Sequence, residues 1–355
     1  MPGVAVRKTA WRLAFAGYGQ LGAGLGRLLG AEPWCRIVAV ADPRPAARES
    51  ARRALGLPRQ ALFADYDEML RRADADAVLV HTPSELHAAQ ARAALERGLH
   101  VLVAKPLAHR FSEALRLVAL AHARRRTLAV GQQIRFNRHY RAVGAFVASG
   151  RLGRVEIVHF LNSKPRPVPL NLGALEQPAL LEMSCHQFDA LDAILPRARP
   201  EAIAADGWRP SWSAYRGPCM VNALIRCHGG VHVLYHAGFS AQADCYELRL
   251  EGTRGVLRCR GIHMSVDAMR YEFAPRGGAF APVELDAAIG AVSPWGEFFA
   301  RWRAWLEGGP EPPFSGRNNL RVLALVYAAI EAVKTGRTVR VAGSARYRVA
   351  FGGAR

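Results

Sequence analysis

Long apolar runs are absent from this chain of 355 residues: nowhere do the ~18 consecutive apolar residues of a membrane span occur, so no membrane partner is expected. Paired cysteine motifs are absent as well. Cys35, Cys185, Cys219, Cys227, Cys245 and Cys259 include no C-x-x-C spacing, which argues against a zinc site or redox dithiol and leaves buried, reduced thiols as the expectation. Cys185 beside His186 does not make a thiol nucleophile, because sequence neighbours on a helix point ~100° apart. A usable leader is also missing: Arg7, Lys8 and Arg12 precede Leu13-Ala-Phe-Ala16, but that apolar part is short and a cut there would enter a glycine-rich loop. The chain therefore reads as cytoplasmic.

Acidic residues are few, 29 against 48 basic ones, for a formal charge of +19. Such an excess fits polyanions, yet it is spread along the whole chain, and its densest run, Arg124-Arg-Arg126, falls at an expected helix end where cations complement the dipole. No specific nucleic-acid partner is expected, only salt-sensitive adhesion. Lysine is scarcest of all: Lys8, Lys105, Lys164 and Lys334 are the four, so 44 of the 48 basic residues are arginine. Where arginine is the default cation, Lys105 inside the apolar segment Val101-Leu-Val-Ala-Lys105-Pro106 is a pointed choice. Only lysine can lose its proton near neutral pH when desolvated, and it offers a compact ammonium rather than a planar fork.

What is present begins with Arg12-Leu-Ala-Phe-Ala-Gly17-Tyr18-Gly19-Gln20-Leu21-Gly22, an apolar run opening into G-x-G-x-x-G and then into a helical pattern through Leu25, Leu28 and Leu29. Gly17 permits a tight turn, Gly19 lets the backbone approach a pyrophosphate, and Gly22 lets helix and strand pack closely. A second apolar run, Ile37 to Ala41, ends in Asp42, where a dinucleotide fold places the carboxylate that binds the adenosine ribose. NAD is the expected cofactor, since a carboxylate repels the 2′-phosphate of NADP. Arg44 could instead cradle that phosphate, which keeps NADP as the alternative.

A chain longer than the ~250–300 residues at which one core stops growing is expected to form two domains. Through residue 131 strands alternate with helices: Ala77 to Thr82 is a strand, Pro83 opens a helix running through His87 to Gly98, and His100 to Ala104 is the next strand. That alternation predicts a doubly wound parallel sheet, a Rossmann domain over residues 1–131. After Gly131 short alternating runs separated by turn signals predict a largely antiparallel sheet, giving an α+β domain over 132–355. A helix near 320–334 is expected to pack back on the first domain. The overall class is α/β.

One helix stands inside the second domain, Leu180 to Leu195, with Leu181, Phe188, Leu191 and Leu195 as its expected buried face. Glu182, His186 and Asp189 fall at i, i+4 and i+7 on it, a spacing that aligns them on one face. A carboxylate one turn from an imidazole can orient its tautomer and raise its pKa, which suits a general acid or base; a polar stripe or a hydrogen-bonded core histidine would show the same spacing. His228, His232 and His236 step by four, ~13 Å apart along a strand, too far for one ion, so no metal is expected.

Together these residues resemble the family of glucose-fructose oxidoreductase and inositol dehydrogenase, over nearly the whole chain. The matching segments are Gly17-x-Gly19-x-x-Gly22, Thr82-Pro83 with His87, Lys105-Pro106, Gly150 to Gly153, Glu182-x-x-x-His186-x-x-Asp189 and Leu250 to Gly255. Two positions depart from the family pattern: Ala104 stands where the family has glutamate, and Glu182 where it usually has aspartate.

The resemblance implies hydride transfer between nicotinamide and a secondary alcohol or ketone of a sugar, cyclitol or related polyol. His186 would be the base, Lys105 would hydrogen-bond the same oxygen, and Glu182 would hold His186 or a substrate hydroxyl. It implies a cis Pro106, cofactor contacts at Thr82, Pro83, His87 and Lys105, and substrate contacts at Arg135, Asn137 and Asp189. Lys164 in the rigid segment 162–169 and Trp212, with Trp208, are further substrate candidates, the tryptophans by stacking on a sugar face. The family's habit of pairing through the open face of the second sheet implies a homodimer or homotetramer. An inactive dinucleotide-binding regulator or scaffold is the alternative that Ala104 keeps open.

Overall fold

The computed structural model describes residues 10–166, 175–262, 268–285 and 293–352. Arg7, Lys8 and residues 167–169 of the proline-rich segment lie outside the described residues. The chain divides into two units, residues up to Gln132 with Phe299–Leu320, and Gln133–Phe298 with the residues from Arg321 onward. Of the helix foreseen near 320–334, all but its first residue therefore groups with the second unit.

In the first unit strands and helices alternate: β1 Trp11–Ala16, α1 Gln20–Gly30, β2 Cys35–Ala41, α2 Pro45–Leu55, β3 Leu62–Phe63, α3 Tyr66–Arg72, β4 Ala77–Val80, α4 His87–Glu96, β5 His100–Val103, α5 Phe111–Arg124 and β6 Leu128–Val130. All pairings are parallel, in the order β3-β2-β1-β4-β5-β6. The strands are largely apolar because helices cover both faces, with Arg12 of β1, Arg36 of β2 and His100 of β5 as polar residues at their amino ends, and every residue of β4 is buried. Order reverses between β1 and β4, and a doubly wound sheet binds ligands outside the carboxyl ends of its strands at that point. The segment around Phe314 closes the far edge, where Val130 N–H donates to the Phe314 carbonyl at 2.9 Å.

The second unit holds α6 Arg138–Ala148, β7 Val155–Pro165, a π-helical stretch Ala179–Ser184 running directly into α7 Cys185–Ile194, β8 Pro200–Trp208, β9 Met220–Cys227, β10 His232–Gly238, β11 Ser240–Gly252, β12 Gly255–Gly261, β13 Arg270–Pro275 and β14 Ala281–Pro282. The remaining elements are α8 Pro294–Leu306, α9 Gly316–Thr335 and β15 Val339–Arg340. Its sheet runs β14-β13-β12-β11-β7-β10-β9-β8-β15, antiparallel throughout except for the β7–β10 pair. Burial alternates along β9, the mark of a sheet covered on one face. The covered face carries Phe160, edge-on to Tyr235 at 6.0 Å, and Tyr235 in turn meets Phe188 of α7 at 4.9 Å.

The single regular helix expected over Leu180 to Leu195 is a π-helical turn followed by an α-helix. The wider i→i+5 turn resets the phase, so i, i+4, i+7 no longer tracks one face. The expected buried face changes accordingly. Leu181 and Phe188 are buried, Leu191 and Leu195 are half-buried, and Gln187 and Asp189 are buried in their place. Among the described residues no helix is long and apolar enough to cross a membrane. Five of the six cysteine side chains are buried as expected, but Cys245 is exposed, and all remain thiols.

Gly22 packs helix α1 closely against the loop that follows β1: a Cβ there would stand 2.4 Å from the Gly17 carbonyl oxygen. Neither side of that contact is a flexible side chain. Gly22→Ala is expected to cost ~1–3 kcal/mol of stability by overpacking and to weaken nicotinamide-cofactor binding, whereas Gly24→Ala, with nothing within 4 Å, should be neutral or stabilising. Thermal unfolding and fluorescence titration with reduced cofactor check both; equal behaviour of the two variants would contradict the close-packing account.

Candidate active site

The first unit supplies an anion cradle. Gly17 adopts φ +85°, and a Cβ there would press to 2.6 Å from the His81 carbonyl. Helix α1 starts on Gly19 without a side-chain cap and with no acid in its first turn, leaving its first N–H groups for an anion. Gln20 and Leu21 are exposed at that start, and Tyr18 contributes backbone rather than ring, since its side chain is buried. The Tyr18 N–H donates to Asp42 Oδ2 at 2.9 Å.

Asp42 is 2% exposed and accepts three further bonds from Arg44: the backbone N–H at 2.9 Å, Nε at 3.0 Å and an Nη at 2.8 Å. Burial works to raise the Asp42 carboxyl, but the Arg44 and backbone hydrogen bonds outweigh it and hold the group below the ordinary carboxylate range. Asp42 is thus an ionised acceptor with Arg44 closed over it. These residues fit a dinucleotide: glycines where a Cβ would collide, unfilled N–H groups, and a buried carboxylate at the end of β2.

Lys105 follows the carboxyl end of β5, and the Lys105–Pro106 peptide is cis. The loop is tied from both sides. Ala104 N–H donates to the Val80 carbonyl at 2.8 Å. His87, buried under it, reaches the Pro106 carbonyl with Nδ1 at 2.7 Å and the Thr82 carbonyl with Nε2 at 3.0 Å. Carbonyl oxygens only accept, so the two bonds form together when both ring nitrogens carry protons. His87 thus lies between the Thr82-Pro83 and Lys105-Pro106 loops from the interior, with a ring nitrogen at each. The Thr82 hydroxyl is likewise engaged, at 2.5 Å from Gln90 Oε1.

In the second unit, Glu182 and His186 stand half-buried either side of the junction between the π-turn and α7, while Asp189 is 1% exposed. The Tyr235 hydroxyl seats the junction by donating to Ser184 Oγ at 2.6 Å, with Gln187 Oε1 close beside it. Asp189 accepts from Arg135 at 2.9 Å; Arg135 also lies 3.6 Å from Asp192, which pairs with Arg321 at 2.7 Å. Burial pushes the Asp189 carboxyl up to about 7 against the pull of Arg135. Glu182 and His186 are thus the half-buried polar residues at this junction, whereas Asp189 and Arg135 are buried and engaged with each other. Asn137 caps α6, its side chain accepting from His139 N–H at 2.9 Å.

Of the other candidates, Lys164 lies half-buried near the end of β7. Trp212 is 62% exposed and donates to the Ser240 carbonyl at 2.9 Å. Trp208 lies 6.0 Å from His236, which lines a depression on the open face of the sheet, away from α7. Arg166 and Tyr215, which sequence spacing did not single out, lie near the end of β7 as well. Strand parity counted from Phe160 could have flagged Arg166; nothing local marks Tyr215. Among the described residues no group of His, Cys, Asp and Glu is arranged to hold a metal ion.

Residues 11–132 match the model of an oxidoreductase family with an NAD-binding Rossmann fold, and residues 140–258 match the GFO/IDH/MocA C-terminal domain. An inositol 2-dehydrogenase of Streptomyces avermitilis is 30% identical over 288 residues, covering 78% of each chain. Among solved structures, an aldose-aldose oxidoreductase of Caulobacter crescentus complexed with glycerol superposes with a TM-score of 0.81 at 21% identity, covering 94% of this chain and all of that one. An inositol dehydrogenase homologue of Azotobacter vinelandii, complexed with NADH and myo-inositol, gives 0.79 at 21% identity over 94% of this chain and 98% of its own.

The raised Asp189 carboxyl makes stability depend on pH. From the ~4 of an unfolded chain up to about 7 the folded state keeps a proton that the unfolded state has lost, so stability falls as pH rises through that interval and levels off above it. Asp189→Asn should remove that slope. Urea unfolding of both proteins at pH 5 and pH 8 is expected to show the variant gaining on the wild type at the higher pH; a difference independent of pH would contradict the assignment.

Proposed function

The chain belongs to the oxidoreductase family that joins an NAD-binding Rossmann fold to a GFO/IDH/MocA C-terminal domain, and from that premise we propose that it is an NAD(P)-dependent dehydrogenase of a secondary alcohol on a sugar, cyclitol or related polyol. The observation that carries this reading is Lys105, one of four lysines in an arginine-rich chain, held at the ligand-binding end of the parallel sheet.

Gly17, Gly19, Gly22 and the start of α1 would hold the pyrophosphate of the cofactor, and Asp42 its adenosine ribose. Bound there, the cofactor supplies the hydride acceptor at nicotinamide C4, or the donor in the reverse direction. His186 takes the hydroxyl proton as the carbinol carbon gives up hydride, so the alcohol becomes a ketone with both hydrogens accounted for. Lys105 donates a hydrogen bond to that oxygen and favours its developing negative charge. Glu182 orients His186 or a neighbouring hydroxyl, and the Arg135–Asp189 pair holds α7 from behind. An ionised Asp42 favours NAD; Arg44, already on that carboxylate, is the group that could turn to a 2′-phosphate and admit NADP. The thiol state of the cysteines supports a cytoplasmic location.

A second reading, cofactor binding without turnover in a regulator or scaffold, draws on Ala104, which puts a methyl group where a carboxylate would precede Lys105 in sequence. A panel of cyclitols, aldoses and keto-sugars, followed at the near-ultraviolet band of reduced nicotinamide with each cofactor, separates the two. On the substrate found, His186→Ala is expected to lose ~10²–10⁴ in kcat. Lys105→Arg should lose activity while its cofactor dissociation constant stays near wild type. Near-wild-type turnover by either variant would refute the roles assigned.

The open face of the second sheet supports an oligomer, a homodimer or homotetramer. It exposes Leu224 and Leu234, 50% and 47% accessible, around a depression of about 650 Å³ with His159, Leu161 and His236 on its wall. Exposed leucines that are cross-strand neighbours on a sheet face fit an association surface. Leu224→Glu with Leu234→Glu is expected to shift the chain to monomers in sedimentation velocity; a wild type already monomeric would end this reading.

A further inference from the structure

Side chains alternate between the two faces of a strand. Along β7, His159 and Leu161 line the open-face depression, whereas Val158, Phe160 and Asn162 are buried on the side that carries α6 and α7. Phe160 meets Tyr140 of α6 at 6.5 Å and Tyr235, whose hydroxyl bonds Ser184, at 6.0 Å. Lys164 continues this even-numbered row, on the side of the sheet where Glu182 and His186 lie. Arg166 ends it: its backbone N–H donates to the Phe239 carbonyl at 2.9 Å and its guanidinium lies 4.9 Å from the centre of the Phe239 ring. Tyr215 stacks on the same ring at 5.7 Å.

Three further facts bear on what this corner binds. Lys164 and Arg166, both half-buried, form no ion pair among the described residues, whereas Lys334 pairs with Glu176 at 2.6 Å. Burial first, then the Arg166 charge, hold the Lys164 ammonium below its ordinary pKa, and exposed Asp244 offsets this only in part. The Tyr215 hydroxyl is buried, 1% exposed as a residue, with no hydrogen-bond partner among the described residues. Two half-buried cations without an ion pair and an unsatisfied buried hydroxyl each cost free energy, and an anion with several acceptor oxygens relieves all three.

The corner also abuts the approach to the catalytic helix. Gly217, two residues beyond Tyr215, packs so closely that a Cβ would stand 2.3 Å from the Glu176 carbonyl, on the segment leading to Glu182. Resting on the dehydrogenase reading above, we propose that the substrate bears an anionic group, a carboxylate or a phosphate, and that Lys164 and Arg166 receive it with the Tyr215 hydroxyl. The point charge of lysine and the fork of arginine suit such a group, and a neutral cyclitol would leave both cations without an ion pair.

Glucose, glucuronate and glucose 6-phosphate differ at one carbon and test this, both as substrates with each cofactor and by calorimetric titration into the full chain with NADH present. One of the anions is expected to exceed glucose by about tenfold or more in kcat/KM or in affinity, expressed mainly in KM. Which anion leads tells a uronate-like from a phosphorylated substrate. Lys164→Met should erase the advantage and Lys164→Arg should restore some of it, with Arg166→Gln as the independent second variant. The proposal is overturned if neither anion surpasses glucose in rate or binding, or if the preference survives Lys164→Met and Arg166→Gln combined. Anion binding that Lys164→Met abolishes, without turnover, sustains this site and overturns the dehydrogenase reading; turnover without anion preference does the reverse.

Discussion

Backbone against backbone at Gly17 and Gly22 is the contact on which the cofactor half depends. A helix can offer its first N–H groups to a pyrophosphate only if it starts directly off the end of β1, and that start is sterically open only without a side chain at either position. From it follow the position of Tyr18, whose N–H reaches Asp42, and the burial of that carboxylate under Arg44. His87 has the corresponding role beside the neighbouring strand. With one ring nitrogen near the Pro106 carbonyl and the other near the Thr82 carbonyl, it packs between the loops that carry Thr82 and Lys105.

The second unit solves a different problem, placing a titratable pair on a helix that is otherwise buried. α7 buries Gln187 and Asp189 along with its apolar residues, and one polar atom of each finds a partner. Tyr235 meets Ser184 and Gln187, and Arg135 meets Asp189. The cost of burying that ion pair is visible in the raised Asp189 carboxyl. What remains half-exposed at the π-to-α junction is Glu182 and His186. A π-turn at such a point widens the helix locally and presents side chains that a regular α-helix would rotate away.

Much of the fold was legible in the chain. Parallel strands buried on both faces read as unbroken apolar runs, as in Ala77 to Val80, and the one-sided sheet reads as alternation, as in Met220 to Cys227. The glycine spacing and Asp42 were legible because backbone sterics and a ribose hydroxyl leave few alternatives. Less legible was the region from Ala179 to Asp189. Spacing assumed one helical period, and the hydrogen-bond register that produced the π-turn is set by packing against β10 rather than by residue type. His87 and Asp189 read as ligand contacts, but their surroundings turned them inward.

Local chemistry in the sequence determined where strands, helices and the phosphate loop form, which family the chain joins and which residues carry charge or a proton. Those properties depend on neighbours a few residues away. Tertiary structure alone decided that Arg44 closes on Asp42, that Asp189 spends its charge on Arg135 54 residues away, and that Lys164, Arg166 and Tyr215 gather at one end of β7. Partnership and desolvation are properties of space: strand parity could put Lys164 and Arg166 on one face, but no spacing along the chain brings Tyr215 to them.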